Sequence, residues 1–173
     1  NEAMPHLPGS PTILLNSINY AVKTDHPLAG FAEPAVNEDQ NAIGRLVADL
    51  VSDGATIETG IGKLPTIVLK ALGSKNDLGV HSGMVSDAMA DLISSGVING
   101  TRKNIDTGKV VTGVALGSTR LHKFIRGRDD ILFRPASYTH NPDILKQNDT
   151  FVAINSVIEI DLFGQINGET IGG

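Results

Sequence analysis

Between Asn37 and Gly54 the apolar positions fall on Ile43, Leu46, Val47, Leu50 and Val51, a spacing of three and four that gathers them on one face of a helix. Asn37 is suited to cap its start, Gln40 stands where the reciprocal partner of a capping box belongs, and Gly54 is expected to stop it. Beyond this helix a different unit recurs: a short apolar run, a glycine turn, then a helical pattern. "ATIE" passes through "TGIGK" into a helix opened by Pro65, and "LGVH" through "SG" into a helix around Ala88 to Ile93. "KVVTGVAL" passes through Gly117 into "STRLHKFI". Later, "ILF" reads as a short strand, and Asn141-Pro142 as cap and first turn of "DILKQ". The run "FVAINSVIEIDLFGQIN" is β-branched and aromatic enough for a strand, bent near Asn155-Ser156. The first 36 residues contrast with all this, because Pro5, Pro8, Pro11, Pro27 and Pro34 break helices and favour an extended arm on the surface. Within that arm "TILLNSINY" is the one expected strand.

Strands alternating with helices predict an α/β fold: a mostly parallel sheet flanked by helices, over residues 37–173, with residues 1–36 as the arm. In such sheets ligands bind at the carboxyl ends of the strands, where these glycine turns lie. A chain of 173 residues is one domain or a large piece of one, able to bury roughly 70% of its unfolded surface. Its net charge of −5 and its 4% aromatic content argue against a nucleic-acid partner, which wants a basic face and rings to stack on. The absence of cysteine excludes disulfides and thiolate metal sites, and fits a reducing, cytoplasmic setting. No apolar run approaches the ~20 residues of a membrane helix. "NEAMPHLPGSP" lacks the basic and apolar regions of a signal peptide, and without Met at position 1 the chain reads as cut or processed from something longer.

Three stretches are candidates for chemistry. In "ETGIGKLP", Gly60 and Gly62 stand between a strand and a helix start, where bare backbone N–H groups approach an anion or a thioester carbonyl oxygen; a plain tight turn is the equal alternative. Pro65 occupies the third glycine position of a dinucleotide fingerprint, and no Gly-Lys-Ser/Thr marks a P-loop. In "VHSGM", Val80 and Met84 replace the flanking glycines of a hydrolase elbow, so Ser82 reads as structural; His81 is either a base or a hydrogen-bonded strand-end histidine. His6, His26, His122 and His140 show no metal-ligand spacing with it, so no metal is expected. In "SVIEIDLFGQ", Glu159 and Asp161 share one face of the expected strand, either as a solvated face or as paired carboxylates for acid–base work.

"DGATIETGIGKLP", "LGVHSGMVSDAMADLISSGVI" and "INSVIEIDLFGQIN", in this order and with "NEAMP" and "KTDHPL" before them, strongly resemble the acetyl-CoA hydrolase/transferase family, which includes acetate and 4-hydroxybutyrate CoA-transferases. The resemblance implies a CoA-transferase-like fold and a two-step exchange, in which a glutamate attacks an acyl-CoA and holds coenzyme A as a glutamyl thioester before a second small carboxylic acid receives it. It maps the coenzyme A contacts onto Gly60, Ile61, Gly62, Lys63 and Leu64, with a further backbone contact at Ile158 and a less defined role for Asn155. It implies longer family chains, with a preceding domain and a later glycine-rich segment as partners of this one, and leaves self-association open. The nucleophilic glutamate of the family's His-Ser-Glu-Met falls on Gly83, which cannot form the covalent intermediate. Another acid is then required, Glu159 first and Asp87 second; otherwise water attacks the thioester directly, or the protein binds coenzyme A esters without turnover.

Overall fold

The computed structural model describes residues 1–31 and 37–171 of the chain, so Pro34 and the end of the expected arm fall outside it. Helix α1, Glu38–Asp49, starts as its sequence predicts: Asn37 Oδ1 accepts from the Gln40 N–H at 2.9 Å, and Gln40 Oε1 accepts from the Asn37 N–H at 3.2 Å. The helix ends at Leu50 rather than at Gly54. Gly54, with φ +79°, instead turns the chain into the sheet and donates its N–H to the Asn76 carbonyl at 2.9 Å. Its predicted apolar stripe is only partly used. A Cβ on Gly44 would lie 2.6 Å from Ile67 Cγ2, so α1 packs on the next helix through its small residues Gly44 and Ala48. Ile43, Leu46 and Leu50 remain 43%, 69% and 80% exposed.

The recurrent strand–turn–helix units follow: β1 (Thr56–Thr59), α2 (Lys63–Ala71), β2 (Gly79–His81), β3 (Met84–Val85), α3 (Asp87–Ser94), β4 (Val110–Thr112), β5 (Val114–Ala115), α4 (Thr119–Ile125) and β6 (Ile131–Phe133). Two short helices, α5 (Ala136–Thr139) and α6 (Pro142–Leu145), lead to β7 (Phe151–Ile154), and β8 (Glu159–Ile160) and β9 (Ile166–Asn167) come last. Five strands form one parallel sheet in the order β6-β4-β2-β1-β7. The register lines up Ile57, Val80, Val110 and Ile131, all buried, on one face. Helices α1 to α4 pack side by side, each on the next, and close that face into the core. Each such side chain removed from water contributes about 1.5–3 kcal/mol.

Side chains alternate along a strand, so Thr56, Glu58, Gly79 and His81 point to the opposite face. That face is covered by loop and short helix rather than by long helices: the Lys103 stem crosses directly over Gly79, where a Cβ would lie 2.5 Å from Lys103 Cγ. The arm also hugs the sheet near its start. Gly9 rests on Leu132, with its carbonyl accepting from Arg134 Nη1 at 2.6 Å.

Three expected strands differ. "KVVTGVAL" is broken into β4 and β5 because the Gly83 carbonyl accepts from both Gly113 N (3.1 Å) and Val114 N (3.0 Å), a bulge that moves β3 and β5 into a separate parallel pair. A Cβ on Gly113 would lie 2.9 Å from that carbonyl, which is why glycine stands there. "TILLNSINY" forms only a 3₁₀ turn, Leu15–Ser17, and its apolar side chains are exposed without a neighbouring strand to pair with among the described residues. "FVAINSVIEIDLFGQIN" stops as a sheet strand at Ile154 and folds back into an antiparallel hairpin, β8–β9, whose turn is closed by Asp161 Oδ1 accepting from Phe163 N and Gln165 N at 2.8 Å each. Asp161 is therefore a turn residue and does not share a strand face with Glu159.

Candidate functional site

From β1 the chain steps through β2 and β4 to β6 at one edge, then returns to place β7 on the other side of β1. β1 and β7 thus flank a topological switch point, and the crevice beyond their carboxyl ends is where an open parallel sheet receives a ligand. The Gly60 turn leaves β1 there, and Asn155 leaves β7 beside it, joined by the Gly60 N–H donating to Ile154 O at 3.0 Å. Gly62, at φ +129°, caps α2 with no side-chain hydrogen bond, so the first N–H groups of that helix keep the open, electropositive end of a helix start. Ile61 projects from the same turn, 71% exposed. Asn155 is the turn's neighbour in a literal sense: its Oδ1 lies 2.1 Å from where a Cβ on Gly60 would stand, and its Nδ2 donates to Glu58 Oε2 at 2.9 Å.

One strand over, β2 ends on the "HSG" stretch. Ser82 is buried and straps the two strands together, its Oγ donating to Thr59 O and accepting from Thr59 N, both at 3.3 Å. That is a structural use of the hydroxyl. Gly83 lies at the bulge, and a Cβ on it would meet the exposed His140 ring, at 2.7 Å from Cε1 and 2.9 Å from Nε2. His81 is 0% exposed and stacks on Tyr138 with ring centroids 5.6 Å apart, and neither ring nitrogen makes a hydrogen bond among the described residues. Burial, and then the nearby Lys103 ammonium, hold its imidazole below the usual range.

Lys103 itself is 4% exposed, with Nζ donating to Val80 O (3.0 Å) and Lys109 O (2.9 Å). Burial brings its ammonium down to about 8, the Asp106 carboxylate only partly opposing. Tyr138 donates its hydroxyl to Asp106 Oδ2 at 2.8 Å and is raised, by burial first and by that carboxylate second.

A cavity of about 390 Å³ opens beside the glycine turn. Ile61, Gly62 and Lys63 form one wall, Met84 and Asp87 a second, and Leu116, Gly117 and Phe31 of the arm a third. Asp87 holds that third wall: its carboxylate accepts from Ser118 N (2.6 Å) and Ser118 Oγ (2.8 Å) and pairs with Arg120 at 3.3 Å. A Cβ on Gly117 would lie 2.4 Å from Asp87 Oδ2.

The fold therefore brings Gly60, Ile61, Gly62, Lys63, Leu64 and Asn155 to one corner, with Gly83 one strand away. Glu159 lies elsewhere, on the exposed hairpin, with Oε1 accepting from Asn167 Nδ2 at 2.8 Å. The Ile158 N–H is taken up by Asn167 O at 2.8 Å. Two features escaped the sequence reading. Glu58 could have been found by placing it on a strand and counting to the face it shares with His81. Lys103, in the polar run "NGTRKNIDTGK", gave no signal of burial, because its partners are backbone carbonyls.

Residues 117–173 match the family model for the acetyl-CoA hydrolase/transferase C-terminal domain. Over 99% of its length the chain is 37% identical to the 4-hydroxybutyrate coenzyme A transferase of Clostridium kluyveri, covering 40% of it, and 37% identical to the succinyl-CoA:cyclohexane-1-carboxylate CoA transferase of Geobacter metallireducens, covering 39% of it. Among solved structures, a 4-hydroxybutyrate CoA-transferase from Porphyromonas gingivalis superposes with a TM-score of 0.88 at 36% identity, covering 95% of this chain and 42% of that one. RipA from Yersinia pestis superposes with a TM-score of 0.85 at 34% identity, covering 91% and 37%. The parallel sheet with its flanking helices is thus the fold of a solved coenzyme A transferase. Residues 117–173 thus carry the family's C-terminal domain pattern, the chain as a whole is similar to coenzyme A transferases, and it spans about 40% of the length of the curated relatives it matches.

Proposed function

We propose that this chain carries the coenzyme A ester site of an enzyme that transfers coenzyme A between small carboxylic acids. The observation that carries the reading is the uncapped start of α2 at Gly62, set at the switch point of the sheet and open to a cavity. Backbone N–H groups of the Gly60, Ile61, Gly62, Lys63 and Leu64 turn would polarise the thioester carbonyl, with donors fixed before the reaction and no side chain to reorganise. Asn155 would set the turn from β7, and Ile158 would add a contact through its carbonyl, since its N–H is engaged. In this reading residues 37–173 are the α/β unit and residues 1–36 its arm, of which the described part, residues 1–31, touches the sheet through Gly9. One observation favours a second reading, hydrolysis by water: Gly83 offers no carboxylate where the family resemblance puts the nucleophile.

Titration of the full-length protein with coenzyme A, and acyl exchange between acetyl-CoA and carboxylic acids, test the proposal. Gly62→Val should weaken coenzyme A binding roughly tenfold or more, about 1.4 kcal/mol, while leaving unfolding cooperative. Unchanged affinity in a folded Gly62→Val protein would remove the turn from the site. Release of free coenzyme A without exchange into any acid would select hydrolysis.

A further inference from the structure

We propose that the Glu58 carboxylate is the covalent nucleophile of this protein, in place of the side chain that position 83 lacks. The proposal rests on the reading above that an acyl-CoA binds at the Gly60 turn. Glu58 belongs to β1 and Gly83 follows β2. The pairing Ile57↔Val80 sets Glu58 beside His81, on the face that Gly83 shares two residues further on. Strands ~4.8 Å apart and a step of ~3.3 Å per residue put the two Cα atoms roughly 8 Å from one another, so a glutamate side chain on β1 covers much of that gap. The carboxylate is also tied to the turn itself, because the one Asn155 carboxamide bonds Glu58 Oε2 through Nδ2 and lies against Gly60 through Oδ1. Glu58 Oε1 makes no hydrogen bond, and no cation pairs with Glu58, among the described residues. A half-buried carboxylate with one oxygen held and the other bare is oriented and still nucleophilic.

The competing acids are differently employed. Both oxygens of Asp87 are bound to Ser118, with Arg120 against them, and that carboxylate supports the Gly117 turn. Glu159 is exposed on the hairpin and bonds Asn167.

The chemistry balances without a further reagent. Glu58 Oε1 attacks the acyl-CoA carbonyl carbon, the C–S bond breaks, and coenzyme A leaves as thiolate from a mixed anhydride. The thiolate attacks the Glu58 carboxyl carbon of that anhydride, forming the glutamyl thioester and releasing the first acid as carboxylate. The acceptor carboxylate then attacks the thioester carbon and expels the thiolate. Attack of the thiolate on the acceptor's acyl carbon yields the new acyl-CoA and returns Glu58 as carboxylate. No proton or electron pair is left over.

The experiment treats the full-length protein with acetyl-CoA, traps with hydroxylamine and maps the hydroxamate by mass spectrometry. Glu58 is the only glutamate in the tryptic peptide Leu46–Lys63, so its label is unambiguous. The expected result is a hydroxamate at Glu58. Glu58→Gln should lose acyl exchange at least a thousandfold while binding coenzyme A within about threefold of the parent, and Gly83→Glu added to Glu58→Gln should return part of the exchange. A hydroxamate on another residue, no hydroxamate on a protein that binds coenzyme A, or full exchange by Glu58→Gln overturns the proposal. A parent that does not bind coenzyme A at all overturns the site reading, and this proposal with it.

Discussion

Replacing Gly60 by alanine adds a single methyl group, and the structure says where it goes. Gly60 is not among the glycines with positive φ, so alanine meets no backbone penalty there. The added Cβ would lie 2.1 Å from Asn155 Oδ1 and 3.2 Å from its Cγ, whereas packed heavy atoms settle near ~3.5 Å. The carboxamide must withdraw by more than about 1 Å, which carries Nδ2 out of hydrogen-bonding range of Glu58 Oε2. A hydrogen bond to a charged group contributes about 1.5–3 kcal/mol, and partial exposure here brings it toward 1. With the repacking of Asn155, the expected loss is about 1–2 kcal/mol. In a domain of this size that lowers Tm by roughly 3–6 °C. Urea unfolding of the parent, Gly60→Ala, Asn155→Ala and the double variant reads the coupling directly. Gly60→Ala should cost less than about 0.5 kcal/mol once Asn155 is alanine. Additive losses would refute the argument that one carboxamide links the glycine turn to Glu58.

Buried Lys103 makes stability depend on pH. Its folded value of about 8 lies below the ordinary 10.5, so between those values the unfolded chain holds the extra proton and stability rises with pH, by about 3 kcal/mol in all at ~1.4 kcal/mol per pH unit. Lys103→Met should flatten that rise in denaturant midpoints measured from pH 7 to 10.5. Tyr138, whose raised value acts in the opposite direction above pH 10, is common to both proteins and cancels in the difference. Gly83→Glu should destabilise by about 1 kcal/mol, because the new Cβ pushes the exposed His140 ring from its rotamer and from Thr139 Oγ1. His140→Ala in the same chain should remove that penalty, and equal losses with and without His140 would contradict the packing described.

The α/β alternation was legible because each unit carries its own local signals. Caps at Asn37 and Asn141 form as side-chain bonds, and the runs Thr56–Thr59, Gly79–His81, Val110–Thr112, Ile131–Phe133 and Phe151–Ile154 lie in the parallel sheet. What the chain could not reveal locally depends on neighbours. The bulge at Gly83 exists because two N–H groups from residues 113 and 114 converge on one carbonyl. The bend at Asn155 becomes a full break because Asn155 turns toward Gly60, ninety-odd residues earlier, and the following residues pair with themselves. The α1 stripe misled for a related reason: a close helix approach selects Gly44 and Ala48, and the large side chains are left outside it. The glycine turn between a strand and a helix start was legible from its spacing, whereas the position of Glu58 follows only from strand register.

The proposed site holds an acyl-CoA at the carboxyl edge of β1 with its thioester against the start of α2. A crystal structure of the full-length protein with a slowly reacting acyl-CoA tests it most directly. The thioester carbonyl oxygen is expected at about 2.9 Å from a backbone N–H of the Gly60 to Leu64 turn, with the Glu58 carboxylate facing the carbonyl carbon. An ordered acyl-CoA whose thioester lies away from that turn, with the α2 start open to solvent, would contradict it.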